Sequence, residues 1–267
     1  MKHECLLFIR INTYNMLNYQ INPAYSSSEG IINNLRVTFQ EIGTTIYKIR
    51  NEVKVIEYNG MKFCVKSFGP PNIFNLFAYS FFRSSKAKRS YENALRLMRM
   101  GIPTPAPVAF VEYYDNRGFI SNSFFISLYQ EHDYRMDEVL HQDVPGKEDI
   151  IRQFARYVSN TLHLNGILHL DFGGNNVLVS KINGRYEFYL IDLNRMRFRK
   201  QIGISQGISN LKRLQGSPIE MSLLANHYAI ARNHNPLYSI IRLGLYKVRH
   251  QQVRDFRRNV FGPFKRL

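Results

Sequence analysis

The chain has 267 residues, 45% of them hydrophobic, enough for one large domain or two lobes with a buried core. Its net charge of +16 is lopsided: residues 195–267 hold 15 lysines and arginines against two acids, Glu220 and Asp255, which implies a partner with phosphates, either a nucleic acid or an anionic membrane surface. No run approaches the roughly 20 apolar residues of a spanning helix; Arg10 cuts short the apolar patch at residues 5–9 before a signal-peptide core can form, and Cys5 and Cys64, outside any C-x-x-C pair, read as reduced thiols of a cytosolic protein.

Residues 1–34 read as an N-terminal extension. A three-stranded meander is then expected over residues 45–50, 53–58 and 61–68, its second turn marked by Asn59-Gly60. Residues 73–82 carry no charge and precede the basic run 83–89. That juxtaposition suits an interfacial helix at anionic lipid head groups, or a helix buried against the small lobe. Ser90 is expected to cap a helix bearing Ala94, Leu95, Leu97 and Met98, closed by Gly101 and Pro103. After a proline-rich linker come strands at residues 108–113 and 124–129. The pattern predicts a small antiparallel lobe of five strands and one main helix over residues 35–130.

Beyond it the periodicity turns helical. Ile151, Phe154, Ala155, Val158 and Leu162 recur at spacings of three and four, and Gly166 ends that helix. The stretch Ile167-Leu168-His169-Leu170-Asp171-Phe172-Gly173-Gly174-Asn175-Asn176 leads into a short strand, an Asn183-Gly184 turn and an alternating strand at residues 186–191 that ends on Asp192. The remainder is helical, so residues 131–267 form a mainly helical lobe with a basic helical tail.

Four residues in this frame fit phosphoryl transfer, which needs a cation for nucleotide phosphates, a partner to hold it, oxygen ligands for magnesium and a base for the attacking hydroxyl. Lys66 lies near the end of the third strand, where kinases keep a phosphate-clamping lysine, and Glu92 follows on the lobe's one helix, at the place of its ion-pair partner. Asp171 and Asn176 fit H-x-D-x-x-x-x-N, the Asp placed as base and the Asn oxygen as a Mg²⁺ ligand; Asp192 would be the second Mg²⁺ ligand. Each residue alone has a plainer reading as a solvated strand lysine, a helix-dipole carboxylate or turn chemistry. Their order, elements and spacing together favour the kinase-like α+β fold, with ATP between two lobes.

The motifs Val65-Lys66-Ser67-Phe68, Lys86-Ala87-Lys88-Arg89-Ser90-Tyr91-Glu92-Asn93-Ala94, Gly101-Ile102-Pro103-Thr104-Pro105, His169-Leu170-Asp171-Phe172 and Ile191-Asp192-Leu193-Asn194-Arg195 resemble those of the lipopolysaccharide kinases, the Kdo and heptose kinases of Gram-negative bacteria. The resemblance implies ATP- and Mg²⁺-dependent phosphorylation of an inner-core sugar hydroxyl on a lipid A precursor, by a peripheral protein at the cytoplasmic face of the inner membrane. It also implies that Arg195 contacts phosphate or ties down its loop; the plainer reading is an exposed arginine with no role.

Some features depart from the wider kinase pattern. No G-x-G-x-x-G precedes Lys66, Gly173 stands where Ser/Thr protein kinases carry a lysine, and Leu193-Asn194 replaces the usual Phe-Gly after the metal aspartate. Ser217-Pro218-Ile219-Glu220 reads as a proline-started helix. The alternatives are a kinase of another small molecule or protein, a non-catalytic pseudokinase scaffold, and a basic nucleic-acid-binding protein. Against the last, the tail shows no RNA-binding motif or zinc spacing.

Overall fold

The computed structural model describes residues 8–12, 15–33, 35–49, 51–69 and 84–261. Cys5, the segment 73–82, Arg50 in the first hairpin and the tail beyond residue 261 lie outside them. The described residues form two compact units, one drawn from Met1–Glu131 with Asp192–Asn194, the other from His132–Ile191 with Arg195–Leu267.

The first unit is built on an antiparallel sheet of β1 (Phe8–Asn12), β2 (Asn15–Ile21), β3 (Thr44–Lys48), β4 (Asn51–Tyr58), β5 (Met61–Phe68), β6 (Pro107–Tyr114) and β7 (Ile120–Leu128), in the order β1-β2-β6-β7-β5-β4-β3. Asn59 and Gly60 both adopt positive φ, 48° and 72°, the conformation a two-residue turn needs to match the twist of β4 and β5.

Seven strands replace the five expected because residues assigned to an extension join the sheet: Asn15–Ile21 pairs along β6 from Leu17↔Tyr113 to Ile21↔Ala109. The reason lies in the period-two alternation of β5. Phe63 and Val65 point to one face, Lys66 and Phe68 to the other. The first face is buried under Tyr19, Ile31, Ile32, Leu35 and Phe39, contributed by β2, a 3₁₀ segment, the short α1 (Leu35–Thr38) and the turn after it. Without that N-terminal layer the apolar face would meet water.

The second face is covered by α2 (Lys86–Arg99), whose Ala87 and Tyr91 pack with Phe68 and Phe110. The cap lies five residues before the expected Ser90. Ser85 is the cap, its hydroxyl accepting from the Lys88 amide at 3.0 Å, so Lys86, Lys88 and Arg89 lie in the first turn; Ser90 instead donates to the Lys86 carbonyl. A serine bonded to the preceding turn gives no N-terminal signal, whereas Ser85 satisfies an amide the helix itself leaves unpaired.

The second unit is mainly helical: α3 (Met136–His141), α4 (Lys147–Arg156), α5 (Ile204–Leu211), α6 (Pro218–Ala231) and α7 (Pro236–Phe261), with small sheets made by β8 (Tyr134–Arg135), β9 (Ile167–His169), β10 (Val177–Ile182), β11 (Arg185–Leu190) and β12 (Met196–Phe198). Ile150, Ile151, Phe154, Ala155, Val158 and Leu162 are all buried, as their spacing requires. After α4 the helix loosens into a π-helical stretch, Tyr157–His163, a departure that periodicity cannot register. Gly166 follows at φ 74°, where a Cβ would strike the Arg199 carbonyl oxygen. Pro218 starts α6 behind a Ser217 cap, in keeping with its sequence.

The cap assignment is measurable. Ser85→Ala should lower unfolding free energy by about 1 kcal/mol, while Ser90→Ala stays within about half that, since it removes only a local bond within the helix. Urea denaturation of the two variants checks it; a larger loss at Ser90 would return the cap to that position.

Candidate active site

In the first unit, alternation along β5 sets Lys66 on the α2 face beside Phe68, its Nζ 5.3 Å from that ring's centroid. The Lys66 ammonium donates to Asp192 Oδ1 at 2.6 Å in a largely buried pair, 16% and 24% exposed. Asn194 also donates to Asp192 Oδ1, and Asn93 on α2 donates to the Leu193 carbonyl at 2.7 Å. Asp192 adopts φ 57°, a left-handed conformation uncommon outside glycine. The expected Lys66–Glu92 pair is not formed: Glu92 is exposed on α2 and makes no ion pair among the described residues. The buried positions Ala87, Ser90, Tyr91 and Ala94 define the face α2 turns to the sheet, and Glu92 falls off it.

In the second unit, His169 sits at the end of β9 with its ring 1% exposed. Its Nδ1 accepts from the Asp171 amide at 3.1 Å and its Nε2 lies 3.0 Å from the Ile191 carbonyl oxygen. Those contacts require a neutral ring with hydrogen on Nε2. It organises the loop and is not placed to transfer protons. Phe172 is fully buried and stacks on Phe154 at 5.9 Å between centroids, which leaves the flanking Asp171 side chain one-third exposed. Gly174 admits the close approach of α3: a Cβ there would lie 2.6 Å from the Asp137 amide nitrogen.

Both oxygens of Asp171 are engaged. Arg213, just past α5, donates to Oδ1 at 2.6 Å, and Arg195 lies 3.5 Å from Oδ2. Arg195 is therefore paired with the Asp171 carboxylate. Asn176, 7% exposed, donates its side-chain amide to the Asp171 carbonyl at 2.8 Å. Its Oδ1, expected to be open, accepts from Asn175 Nδ2 at 3.2 Å.

Arg213 has no local sequence signal, and neither does the polar chain behind the loop. Tyr228 on α6 bonds His163 Nδ1 at 2.8 Å, His163 Nε2 lies 3.1 Å from Asn210 Oδ1, and Asn210 Nδ2 donates to the His169 carbonyl at 2.9 Å. Gly207 leaves the space for this network, since a Cβ there would fall 1.9 Å from the Tyr228 hydroxyl oxygen. Burial pushes the His163 imidazole down to about 4, with Arg232 acting in the same direction and the Asn210 bond opposing.

Among the described residues, no three His, Cys, Asp or Glu side chains gather as a metal cluster. Asp192 in the first unit offers a carboxylate and Asn176 in the second an amide oxygen, each a hard oxygen donor of the kind magnesium takes.

An antiparallel-sheet unit with one main helix over the sheet, and a mainly helical second unit, make up the protein-kinase-like α+β class. The lipopolysaccharide kinase (Kdo/WaaP) family profile matches residues 64–230, more than half of the chain, and the chain belongs to that family. Membership places it among the phosphotransferases. Among solved structures, WaaP in complex with acyl carrier protein shares the fold, with a TM-score of 0.57 and 16% identity over 88% of this chain and 98% of that one. A complex of the Rio2 kinase with ADP/Mg²⁺-phosphoaspartate from Chaetomium thermophilum gives a TM-score of 0.43 and 13% identity over 72% of this chain and 59% of that one. No curated protein matches the sequence.

His163 makes the loop's support sensitive to acid. Its folded pKa lies below the ordinary 6.5, so its contribution to stability is complete above pH 6.5 and is lost as pH falls towards 4. The depression corresponds to about 3 kcal/mol. His163→Gln, which keeps polar atoms but cannot titrate, should flatten the slope of unfolding free energy across that window; an unchanged slope would assign it to other groups.

Proposed function

We propose that this protein transfers the γ-phosphoryl group of ATP to a sugar hydroxyl, of Kdo or a heptose, in the inner core of lipopolysaccharide on a lipid A precursor. The observation that carries the reading is the 2.6 Å pairing of Lys66 with Asp192, 126 positions apart in sequence, which brings two nucleotide-handling residues together. Family membership supports the acceptor class.

Each residue's part follows from its surroundings. The Lys66 ammonium, held by Asp192, neutralises charge on the ATP phosphates as it accumulates. Asp171 accepts the acceptor's hydroxyl proton as that oxygen attacks the γ-phosphorus and ADP departs. Arg195 and Arg213 fix the carboxylate's direction beforehand, so little orientation is left to be lost in the reaction. Asn176 and Asp192 would hold Mg²⁺, which when bound offsets phosphate charge. The protein keeps lysine, base and both metal-ligand residues, which speaks against a scaffold that has lost catalysis.

The place of work is read from α7. No helix among the described residues is long and apolar enough to cross a membrane. Yet Leu237, Ile241 and Leu245 are exposed at spacings of four, a stripe beside Arg242 and Arg249. An apolar stripe flanked by cations suits the head-group region of an anionic bilayer, and supports a peripheral protein on the cytoplasmic face of the inner membrane.

Asp171→Asn, nearly isosteric, should lower phosphoryl transfer to core lipopolysaccharide by about 10²- to 10⁴-fold while thermal stability and ATP binding persist; Lys66→Ala should weaken productive ATP use. Wild-type turnover by Asp171→Asn would remove the base assignment. Mass spectrometry of lipopolysaccharide from cells with and without the protein should show one phosphate lost from the core, and no difference would redirect the search to another acceptor.

Vesicles containing anionic phospholipid should bind the protein, less so at high salt, where exposed charges are screened within about 3 Å at 1 M against about 8 Å at physiological strength. Ile241→Glu with Leu245→Glu should reduce binding further. Salt-independent or absent binding would exclude α7 as the anchor.

A further inference from the structure

A cavity of about 1280 Å³ opens in the second unit with Asp171 on its wall. Among the described residues, Asp171 is the one acid lining it, against Arg197, Lys212, Arg213, Lys247 and Arg254, with His250 among them. The far wall belongs to α7: Lys247, His250, Gln251 and Arg254, spaced i, i+3, i+4, i+7, line the cavity together with Val248 and Val253. We propose that this cavity seats the phosphoryl acceptor and selects one bearing at least two anionic groups, phosphate or carboxylate, with Arg213, Lys212, His250 and Arg254 as the residues that determine specificity.

The inference rests on the kinase reading for the cavity's use and on charge for its selectivity. Apart from Arg213, which pairs with Asp171, the hydrogen bonds of the wall's cations Lys212, Lys247 and Arg254 go to neutral partners. Lys212 Nζ donates to the Ser209 hydroxyl at 3.2 Å, Arg254 to the Gln251 side-chain oxygen at 2.7 Å, and Lys247 to the Leu214 carbonyl. Like charges so crowded repel one another, by about 1 kcal/mol per pair at 4 Å even in water. The crowding is felt at His250, whose pKa is lowered by burial and then by Arg213, Lys212, Arg254 and Lys247. A bound polyanion would relieve that repulsion.

Size points the same way. The cavity exceeds the roughly 300–1,000 Å³ typical of small-molecule sites, so it fits a substituted oligosaccharide better than one free sugar. Arg213 links selection to chemistry: its guanidinium lines the cavity and already grips Asp171 at 2.6 Å. An acceptor anion on Arg213 would bring a neighbouring hydroxyl to the base.

The test uses the full chain, ATP and three acceptors: core lipopolysaccharide as isolated, the same material dephosphorylated with hydrogen fluoride, and the same material with its carboxylates reduced. Wild type should show an acceptor KM raised at least tenfold by one of the two treatments, which identifies phosphate or carboxylate as the recognised group. Lys212→Gln with Arg254→Gln should raise the acceptor KM for untreated material at least tenfold, with kcat, the ATP KM and thermal stability within twofold of wild type. Lys212→Arg with Arg254→Lys should recover most of the loss. An unchanged acceptor KM in the neutral double variant, or no preference among the acceptors in wild type, would overturn the proposal while leaving the kinase reading intact. If wild type transfers phosphate to none of them, the kinase reading fails instead. The cavity is then judged by calorimetry with glucose 1,6-bisphosphate against glucose. Bisphosphate binding weakened at least tenfold in the neutral double variant supports an anion seat; equal binding by both proteins, or none by wild type, overturns it.

Discussion

The buried ring of His169 is the constraint on which the Asp171 loop depends. A neutral imidazole with hydrogen on Nε2 can accept from the Asp171 amide and donate to the Ile191 carbonyl at once, and a charged ring could not do the first. One side chain therefore fixes the backbone of Asp171 and that of the residue preceding Asp192. Asn210 holds the His169 carbonyl from behind, and Asn176 bonds the Asp171 carbonyl from ahead. With its backbone fastened on three sides and Phe172 buried against Phe154, Asp171 has its direction set by the fold.

Charge is arranged on the same plan. Arg195 and Arg213 meet the Asp171 carboxylate from separate elements, so its orientation does not rest on one flexible side chain. The helix α7 does two things: it lines the cavity through Lys247, His250 and Arg254, and it exposes Leu237, Ile241 and Leu245 as an apolar stripe. A helix with an ordinary core-facing seam along its whole length could do neither. That is why α7 shows little buried apolar surface beyond Leu243.

How much of this could be read from the sequence depended on how local the cause was. The Asn59-Gly60 and Asn183-Gly184 turns, the periodic helix through Phe154 and the proline start of α6 are set by neighbours a few positions away, and the structure has them all. Pairing of β2 with β6 spans almost a hundred residues and turns on which strand face lacks cover, which alternation alone does not disclose. The α2 start was misplaced because two serines five residues apart look alike until the bonding partner is known. Lys66 was legible through its strand, but its partner was not: Asp192 reaches it through tertiary structure, while Glu92, nearer in sequence, lies on the exposed side of its helix. Arg213 and the Tyr228–His163–Asn210 chain had no signal, since each is a polar residue whose meaning comes from a contact 40 or more positions away.

Asp192 concentrates this long-range dependence. Its left-handed backbone costs of order 1 kcal/mol and persists only where surrounding structure insists on it. Lys66 and Asn194 both bond its Oδ1, and the bond from Asn93 to the Leu193 carbonyl holds the next residue against α2. The same contacts that offset the strain aim the carboxylate at Lys66. With no G-x-G-x-x-G before Lys66, the position of its ammonium rests on this pair and on the Phe68 ring below it. A rigid, strained aspartate thereby does for the lysine what a carboxylate on α2 was expected to do, and it leaves α2 free to carry its charged residues outward.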